Sequence, residues 1–536
     1  MIDLEWKVLN DMPFDIEVFL KNKNIILHPK IDDMHSPFLM KDMLKGVERA
    51  ERAIKNKEKI MIVGDYDADG VTSTYTLIHA FSLLHADIVY DIPERHEGYG
   101  INQRIIDDAK ENGVSLIITC DNGIAAVEAI DYANQHGIDV IVTDHHEPQD
   151  VLPNAYAIIN PKQKDCSYPF KELAGCGVAF KFGQALIHRM KPSATPIFFH
   201  CLDVVATGTV ADMMPLVGEN RIIVYHGIKH YGKTKGLKRL IKALGITHEI
   251  NSTSIYFQIG PALNAAGRLS SPKHAVDMIL EKGPKSLRKA KFIASLNEER
   301  KKWVEQFANH IIQEMKEKDD PILLYYSDEL PEGILGILSS RVKEALGKPS
   351  IVLTKDGDYY KGSARSVDGF SLFQFLSTKQ ELFHRFGGHD QACGLTIHHD
   401  HMNLFIEYLK TAEIQTEEPI LVLQYELHPK DITLQLAERL IELEPYGKGN
   451  DKPYFLLSNC RIVSYDYIGK EKKTLRLKVE KEGHIFTCIG FNLATMFEQL
   501  IVNSKIDTID LAFFPSINEW NGNRSLQLQL EAIRAT

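Results

Sequence analysis

Three carboxylates lie within five residues of the chain, as Asp65, Asp67 and Asp69. Like charges this close repel one another, and a bound divalent cation relieves the repulsion because it stabilises the ionised acids. Carboxylate oxygens are hard ligands that suit Mg²⁺ or Mn²⁺. The alternatives are a surface turn rich in aspartate and a calcium loop. An EF-hand loop follows a helix and carries a downstream glutamate, whereas this segment follows an apolar run and lacks that glutamate.

A further acid and an acid-histidine-histidine run follow along the chain. Asp121 lies in TCDNGI and could be only the N-cap of a helix predicted to begin near Ala125. Asp144 precedes two consecutive histidines, His145 and His146. Imidazole and carboxylate ligands together suit Mn²⁺, and one histidine can bind the metal while the other contacts a substrate phosphate.

The last candidate acid is Asp212 in ATGTVADMMPL, with Asp203 as its competitor nine residues earlier. The spacing does not decide between them. Two cations about 3.5–4 Å apart can clamp a phosphate and activate a water, so a two-metal site predicts phosphoester hydrolysis. The side chains that would suffice for such a site are Asp67, Asp69, Asp121, His145 and Asp212.

Alternating apolar and amphipathic stretches between residues 59 and 144 predict the elements that position these side chains. The predicted strands are 60–63, 87–92, 115–120 and 139–143, and the predicted helices are 71–84, 103–112 and 125–136. Such alternation is typical of βαβ units around a buried parallel sheet. Asp65, Asp121 and Asp144 follow three of the strands, and ligands bind beyond the carboxyl ends of parallel strands. We therefore expect these acids in one crevice.

The rest of the chain predicts further units. Residues 284–320 form a long helical candidate with Trp303, Phe307, Ile311 and Met315 on one face. A second α/β pattern begins at 321–327 and 349–354 and continues through two glycine-containing loops, 361–366 and 385–394. A polar break at 413–419 indicates a linker. Short strands with turns at 469–472 and 521–522 then predict a small barrel of the OB type.

Composition bounds the class of protein. Among 536 residues, 62 are lysine or arginine and 72 are aspartate or glutamate, which gives a net charge of −10. Nucleic-acid-binding proteins usually have a basic surface, and the net negative charge does not indicate one. It does not exclude nucleic-acid binding either, because acids around a metal lower the net charge while the binding face can be locally basic. Seven cysteines without a Cys-x-x-Cys pair argue against a disulfide framework or a cysteine zinc site. No apolar run reaches the roughly 18 residues of a membrane helix, and the amino terminus lacks signal-peptide features. We predict a cytoplasmic protein that binds no membrane.

The motifs, in this order, resemble the DHH phosphoesterase superfamily, which is named for the element present here as Asp144-His145-His146. Within it, the chain from about Val47 to its end is similar to the RecJ family of single-strand-specific DNA exonucleases. The four catalytic elements are VGDYDADG, TCDNG, TDHHE and GTVADMMPL. Four more elements match the RecJ family: GPALNAAGRL (260–269), EGILGILSSRV (332–342), GSARS (362–366) and FGGHDQACG (386–394).

The resemblance implies roles for individual residues. It implies two ions, Mn²⁺ or Mg²⁺, and it favours Asp212 over Asp203. The implied metal ligands are Asp67, Asp69, Asp121, His145 and Asp212, with Asp65 and His146 completing the catalytic set. The implied substrate-binding residues are Arg95, Arg268, Ser363, Arg365, Gly388 and His389.

The resemblance also implies the domain order and the activity. We expect an α/β protein with an amino-terminal segment and parallel-sheet DHH catalytic domain (1–283), a connecting long helix (284–319), a DHH-associated substrate-binding domain (320–415) and a C-terminal OB-like β-barrel (416–536). The implied activity is 5′-to-3′ hydrolysis of single-stranded DNA to 5′-mononucleotides in recombination and repair, with single-strand-binding protein and a helicase as partners. The alternatives are a phosphodiesterase of short RNA or cyclic dinucleotides and a non-catalytic DNA-binding scaffold. The intact ligand set favours turnover, and the long helix and barrel favour a polymeric substrate.

Overall fold

The structure is a computed structural model that describes residues 5–414, 420–503, 506–520 and 522–536. The strands are β1 (Glu5–Asn10), β2 (Lys59–Val63), β3 (Ile88–Asp91), β4 (Val114–Cys120), β5 (Asp139–Thr143), β6 (Ala157–Ile159), β7 (Leu323–Ser327), β8 (Ser350–Asp356), β9 (Tyr359–Arg365), β10 (Phe383–His389), β11 (Ala392–His398), β12 (Ile420–Tyr425), β13 (Phe455–Ile468), β14 (Thr474–Lys481), β15 (His484–Gly490), β16 (Thr508–Trp520) and β17 (Asn523–Ala535).

The α-helices are α1 (Ile16–Asn22), α2 (Met43–Lys55), α3 (Ala68–Leu83), α4 (Gln103–Glu111), α5 (Val127–Gln135), α6 (Gly175–Met190), α7 (Thr195–Phe198), α8 (Leu202–Ala211), α9 (Gly218–Lys229), α10 (Lys235–Ala243), α11 (Ser252–Ser254), α12 (Gly260–Leu269), α13 (Lys273–Leu280), α14 (Lys285–Met315), α15 (Leu335–Leu346), α16 (Leu372–Ser377), α17 (Met402–Leu409), α18 (Leu434–Ile441) and α19 (Ala494–Asn503). By their contacts the residues form two compact units, which we call the sheet unit (34–214 and 226–417) and the barrel unit (1–33, 215–225 and 418–536).

The first sheet of the sheet unit is parallel, with the strand order β3-β2-β4-β5-β6. Its strands are apolar and buried on both faces, because helices cover each side. Val63 lies beside Thr119, and Cys120 lies beside Thr143, so β2, β4 and β5 end at the same edge. The four predicted strands and three predicted helices are all present, which confirms the predicted α/β class.

The long helix α14 spans 31 residues, as predicted. Ile311 and Met315 on its apolar face are buried, and Trp303 and Phe307 pack at the edge of the same core. Helices α10, α12 and α13 from the first half of the sheet unit contact it, and so does α15 from the second half. The helix therefore connects the two α/β halves through a common apolar core.

The second sheet has the order β10-β11-β9-β8-β7, in which β7 and β8 are parallel and the remaining pairs are antiparallel. The prediction of loops at 361–366 and 385–394 is wrong, because these residues lie mostly in strands β9, β10 and β11. Glycine makes the strands possible here. A Cβ atom on Gly362 would lie 2.2 Å from the carbonyl oxygen of Val352 on β8, so only glycine allows this close pairing.

The barrel unit contains a closed five-stranded barrel with the strand order β13-β14-β15-β17-β16, which confirms the predicted OB-like barrel. Leu477, Cys488, Leu511 and Leu528 point into its core. The turn at 469–472 is present. Residues 415–419 of the predicted linker and Asn521 of the second predicted turn lie outside the described residues.

The amino-terminal strand pairs with residues far away in the sequence. Strand β1 lies parallel to β12, with Trp6 beside Leu421, so the first 33 residues group with the barrel unit. The predicted domain 1–283 differs from this grouping at both 1–33 and 215–225. The other predicted boundaries, at 283/284, 319/320 and 415/416, stay predictions.

One segment meets the length and composition of a membrane span. Pro192–Ala211 has a mean hydropathy of 1.3, but 67% of it is buried in the protein. Helices in the core of globular proteins meet the same criterion, so this segment is weak evidence for a span.

Candidate active site

The ends of three adjacent strands supply the first part of the site. Asp65 follows β2, Asp121 follows β4, and Asp144 follows β5, all at the carboxyl edge of the first sheet. Asp121 has a left-handed backbone conformation with φ of 62°, which turns the chain sharply away from the strand. Helix α5 begins only at Val127 and has no side-chain cap, so the alternative role of Asp121 as an N-cap is wrong.

Two helix amino termini hold the neighbouring acids. Asp67 is the N-cap of α3, and its Oδ1 accepts hydrogen bonds from the backbone N–H groups of Asp69 and Gly70 at 2.9 and 3.0 Å. The carboxylate of Asp69 accepts from the N–H groups of Gly175 and Cys176 at 2.7 and 2.8 Å. Both acids are thus oriented by helix N-termini, whose positive ends stabilise carboxylates.

His145 lies at the centre of the acids. Its Nε2 is 3.1 Å from Asp121 Oδ1, 3.7 Å from Asp212 Oδ2 and 3.8 Å from Asp69 Oδ2. Ligand atoms of Asp69, His145 and Asp212 all lie within 4.8 Å of one another. The structure therefore brings together four of the five implied metal ligands, and Asp67, the N-cap of α3, lies two residues before Asp69.

Several polar side-chain atoms of the carboxylate and histidine cluster have no hydrogen-bond partner among the described residues. They are buried and comprise Asp121 Oδ1, both oxygens of Asp65 and both ring nitrogens of His145. Buried polar atoms are nearly always satisfied, so orphans that point at one another indicate a missing ligand. Carboxylate oxygens plus one imidazole are a donor set for Mn²⁺ or Mg²⁺, and this set fits the predicted metals.

The electrostatics of the metal-free site agree with this interpretation. Burial and the charge of Asp67 hold the pKa of Asp65 well above its usual range. Burial together with the charges of Asp69 and Asp67 does the same to the pKa of Asp121. Burial lowers the pKa of His145, which keeps the imidazole neutral and able to bind a metal. The site has an excess of buried negative charge that a divalent cation would neutralise.

Asp144 orients both histidines. Its Oδ1 accepts from the N–H of His145 at 2.7 Å and from Nδ1–H of His146 at 2.8 Å, while Oδ2 accepts from the N–H of Ile124 at 2.9 Å. Although burial opposes protonation of His146, the hydrogen bond to Asp144 raises its pKa to about 9. The sequence prediction gave no role to Asp144, although the acid lies directly beside both histidines.

Tyr99 is a residue of the site that the sequence did not suggest. Its hydroxyl donates to the carbonyl oxygen of Asp121 at 2.6 Å and lies 3.3 Å from Nε2 of His146. It connects the β4 end to the β5 end. Only its position four residues after Arg95 could have indicated it.

The structure separates the two competing acids. The carboxylate of Asp203 accepts from the N–H groups of Gly232 and Thr234 and from the Thr234 hydroxyl at 2.7–3.1 Å, so it caps the loop before α10. Asp212, at the end of α8, is the one that approaches His145.

Two glycines allow the helices to approach closely enough for this arrangement. A Cβ atom on Gly208 would lie 2.1 Å from Thr72 Oγ1 and 2.9 Å from Asp69 Oδ1. A Cβ atom on Gly175 would lie 2.4 Å from Asp121 Oδ1. Gly208 belongs to the run of small residues before Asp212, and the sequence alone does not indicate these contacts.

The implied arginines form a positively charged group beside the carboxylates. The guanidinium of Arg95 lies 4.3 Å from the Tyr66 ring centroid. Arg268 donates to the carbonyl oxygen of Gly333 at 2.8 Å. Burial, together with the charges of Arg95, Arg300 and Arg365, lowers the pKa of Arg268 to about 10. Such mutual repulsion is relieved by an anion, and Arg300 is a member of the group that the sequence did not suggest.

The remaining implied residues lie on the second sheet. Arg365 Nη1 donates to Ser363 Oγ at 2.6 Å and to the carbonyl oxygen of Ala364 at 2.8 Å. Gly388 has a φ of +145°, and a Cβ there would lie 2.3 Å from the carbonyl oxygen of Ala392. His389 could instead be a loop histidine that packs against Phe386, whose ring stacks on Phe373 and Phe383.

A cleft of about 970 Å³ opens beside the two histidines of the site. Its lining includes His145, His146, Tyr99 and Lys162 from the first sheet and its loops, and His389 from the second. The two histidines of the site and His389 of the second sheet therefore face one shared space.

From the sequence, Tyr446 with Lys448 and Trp520 with Arg524 are candidate contacts for a single strand, and the alternative is that these aromatic residues pack the barrel. Tyr446 donates from its hydroxyl to the carbonyl oxygen of Leu440 at 2.6 Å and packs edge-on against Phe514, which supports the alternative that it fills the barrel core. Arg524 forms an ion pair with Glu438 at 2.9 Å. The side chain of Trp520 lies outside the described residues.

Comparisons with known proteins identify the same units. Three family models match: the DHH family N-terminal domain at residues 59–209, the DHHA1 domain at 319–413 and the RecJ OB domain at 423–532. The single-stranded-DNA-specific exonuclease RecJ of Escherichia coli is 34% identical, and the alignment covers 91% of this chain and 90% of that protein. The RecJ of Bacillus subtilis is 37% identical over 95% of this chain, which spans 66% of that longer protein.

A solved structure has the same fold. The crystal structure of RecJ in complex with Mn²⁺ from Thermus thermophilus superimposes with a TM-score of 0.83, covering 99% of this chain and 80% of that one at 24% sequence identity.

Proposed function

Because the chain belongs to the RecJ family, we propose that it is a metal-dependent exonuclease that degrades single-stranded DNA. The observation that carries the proposal is the convergence of Asp69, Asp121 and Asp212 on His145. Within this group, the buried Asp121 Oδ1 and both ring nitrogens of His145 have no hydrogen-bond partner among the described residues. A scaffold protein would have no need of buried, mutually repelling carboxylates, which reduce stability when no metal is bound.

Two divalent cations, Mn²⁺ or Mg²⁺, would be held by Asp67, Asp69, Asp121, His145 and Asp212. When bound, such ions neutralise phosphate charge and lower the pKa of a coordinated water. The related Thermus thermophilus structure contains Mn²⁺, which agrees with the donor set of this site.

Asp144 and the two histidines position the metal ligand and the phosphate. Asp144 holds His145 with a backbone hydrogen bond and keeps His146 protonated at neutral pH, since the pKa of His146 is about 9. The protonated imidazole of His146 faces the cleft with nearly half of its side chain exposed. It can therefore donate a hydrogen bond to a non-bridging oxygen of the scissile phosphate.

The arginine group anchors the end of the strand. Arg95, Arg268 and Arg365 offer forked donors that suit a terminal phosphate, and Ser363 adds a hydroxyl that Arg365 already orients. A 5′-phosphate held by these residues places the first internucleotide bond over the carboxylates. Cleavage there releases one 5′-mononucleotide in each cycle and proceeds from the 5′ end towards the 3′ end.

The additional barrel favours a polymer over a dinucleotide. Hydrolysis of short RNA or cyclic dinucleotides requires only the two α/β halves, whereas this chain continues into a closed barrel of the OB type. OB-type barrels bind single strands along a groove, by base stacking and backbone contacts. We place the activity in DNA recombination and repair in the cytoplasm, where single-strand-binding protein and a helicase supply the substrate.

The experiment is a comparison of substrates labelled at either end. Single strands, duplexes and dinucleotides are incubated with the protein and Mn²⁺, with Asp121→Ala as a matched catalytic control. We expect a 5′ label to appear at once as a mononucleotide, a 3′ label to remain on progressively shorter strands, and duplexes to persist. Faster cleavage of dinucleotides than of long strands, or equal activity of the control, would contradict the proposal.

A further inference from the structure

The second sheet carries a histidine-rich segment, His398-His399-Asp400-His401, at the end remote from the active site. Strand β11 pairs with β9 so that Ala392 lies opposite Arg365 and His398 lies opposite Tyr359. Six residues of strand separate these two ends, a distance of about 20 Å at about 3.3 Å per residue. The segment is therefore spatially distinct from the carboxylate cluster and the arginine group.

Ligand atoms of three consecutive residues converge in this segment. His399 Nε2 lies 3.0 Å from Asp400 Oδ1, and His398 Nδ1 lies 3.4 Å from Asp400 Oδ2. One ligand atom from each of the three residues lies within 4.8 Å of the ligand atoms of the other two. Ligands bonded to one tetrahedral ion at about 2.0–2.2 Å stand about 3.3–3.6 Å apart. The distances of 3.0 and 3.4 Å between Asp400 and the two histidines are close to this spacing, so a small shift of the side chains lets a single ion contact all three.

A backbone carbonyl fixes the ring of His399 in a metal-binding tautomer. Its Nδ1 lies 3.0 Å from the carbonyl oxygen of Asp358, which can only accept a hydrogen bond. The proton is therefore on Nδ1, and in the neutral ring Nε2 keeps its lone pair towards Asp400. Histidines that bind metals usually donate their other ring N–H to such a carbonyl, because this orients the ring and raises its basicity.

The two neighbouring histidines, His398 and His401, differ in whether their ring nitrogens can bind a metal ion. His398 Nδ1 accepts a long hydrogen bond of 3.3 Å from the N–H of Asp400, which an ion would replace. His401 donates from Nδ1 to the carbonyl oxygen of Leu382 at 3.1 Å, but it does not belong to the converging group. His401 is therefore a matched control on the same turn.

We propose that His398, His399 and Asp400 form a second metal site, chemically distinct from the catalytic one, that binds one late first-row divalent ion such as Zn²⁺. Two imidazoles and one carboxylate favour Zn²⁺, Ni²⁺, Co²⁺ or Cu²⁺ over Mg²⁺, which requires oxygen ligands. His399 and Asp400 are more than half exposed, so water fills the remaining coordination positions. The competing interpretation is a surface ion pair between a protonated His399 and Asp400.

An ion at this position would fasten local elements together. The carbonyl oxygen of Asp358 accepts from both the backbone N–H and Nδ1–H of His399, so the segment is already attached to the turn between β8 and β9. The ion would bind the end of β11 to the residues just before α17. It would stabilise the second α/β half without taking part in hydrolysis.

The test uses the full chain and measures bound Zn²⁺ by equilibrium dialysis. Zn²⁺ that binds at the catalytic site is common to all variants, so the difference between variants reports the second site. Wild type is compared with His399→Ala, Asp400→Asn and the control His401→Ala. We expect the first two variants to bind one Zn²⁺ equivalent fewer than wild type, or to bind that equivalent at least tenfold more weakly. His401→Ala should match wild type, and Mn²⁺-dependent exonuclease activity should be unchanged in all three variants.

The nitrogen ligands give an independent measurement. Electron paramagnetic resonance of one Cu²⁺ equivalent should show coupling to two imidazole nitrogens in wild type and to one in His399→Ala. Zn²⁺ binding that is equal in wild type, His399→Ala and Asp400→Asn would overturn the proposal. An equal loss in His401→Ala would overturn the assignment of ligands. Neither result depends on catalytic activity, so the outcome is separate from that of the proposed function.

Discussion

The most specific structural prediction concerns Gly208 on α8. A methyl group at this position would lie 2.1 Å from Thr72 Oγ1, 2.6 Å from Cys176 Sγ and 2.9 Å from Asp69 Oδ1. All three neighbours are buried, so helix α8 must move away from α3 and α6 to accommodate Gly208→Ala. That movement separates Asp69 on α3 from Asp212 at the end of α8.

The expected effects on stability and activity differ in size. Overpacking costs about 1–3 kcal/mol, while alanine gains about 1 kcal/mol over glycine in a helix. The free energy of unfolding should therefore fall by only about 0–2 kcal/mol. A displacement of about 1 Å in a catalytic group can lower the rate about 10²-fold. We expect exonuclease activity to fall by about that factor and Mn²⁺ affinity to fall with it, in a folded protein.

The matched control is Gly177→Ala on α6. A Cβ there would lie 3.3 Å from Cδ2 of Leu173, a flexible side chain that can shift by a few tenths of an ångström. This variant should keep wild-type turnover of single-stranded DNA and wild-type Mn²⁺ binding by calorimetry. If Gly208→Ala also keeps both, close packing of α3, α6 and α8 does not set the ligand geometry, and our account of the site is wrong.

Four further predictions follow from the site. Asp121→Ala should abolish hydrolysis but leave binding of single-stranded DNA by fluorescence anisotropy largely intact; equal loss of both would make the residue structural. Arg365→Ala should weaken use of 5′-phosphorylated ends about 10–100-fold, the equivalent of one charged hydrogen bond, while 5′-hydroxyl ends are little affected. Asp144→Asn should lower the pKa of His146 from about 9 towards its ordinary value, as measured by NMR titration, because the carboxylate that stabilises the imidazolium is lost. In protein freed of metal, the pKa values of Asp65, Asp67 and Asp121 are raised, so the folded state binds more protons than the unfolded chain. This contribution to stability is lost as pH rises above about 4, the ordinary pKa of a carboxyl group, so the melting temperature should fall relative to that of Mn²⁺-saturated protein as pH rises. A melting temperature of the metal-free protein that rises with pH relative to the Mn²⁺-saturated protein would contradict the assignment.

The first sheet could be predicted from the sequence because its determinants are local. The runs at 60–63, 115–120 and 139–143 are apolar and β-branched, each is followed by an acid, and parallel strands end at one edge. The convergence of Asp65, Asp121 and Asp144 at that edge needs no further information. Local sequence patterns could not decide between Asp212 and Asp203. The choice depends on the position of the end of α8 relative to His145 and on the loop that Asp203 caps.

The parts that sequence reasoning missed depend on contacts between distant residues. Strand β1 pairs with β12 more than 400 residues later, and no local pattern encodes that pairing. The glycine-rich segments of β9, β10 and β11 have the composition of loops, yet the close approach of neighbouring backbones makes them strands. The packing role of Gly208 and the hydroxyl contact of Tyr99 likewise appear only when the helices and strand ends are in place.

The central claim is that side chains from separate elements hold two cations at the edge of the first sheet. Anomalous diffraction at the manganese edge from crystals grown with Mn²⁺ measures this directly. The account predicts two peaks about 3.5–4 Å apart, contacted by Asp67, Asp69, Asp121, His145 and Asp212. Crystals saturated with Mn²⁺ that show no peak among these residues, or peaks only elsewhere on the protein, would contradict it.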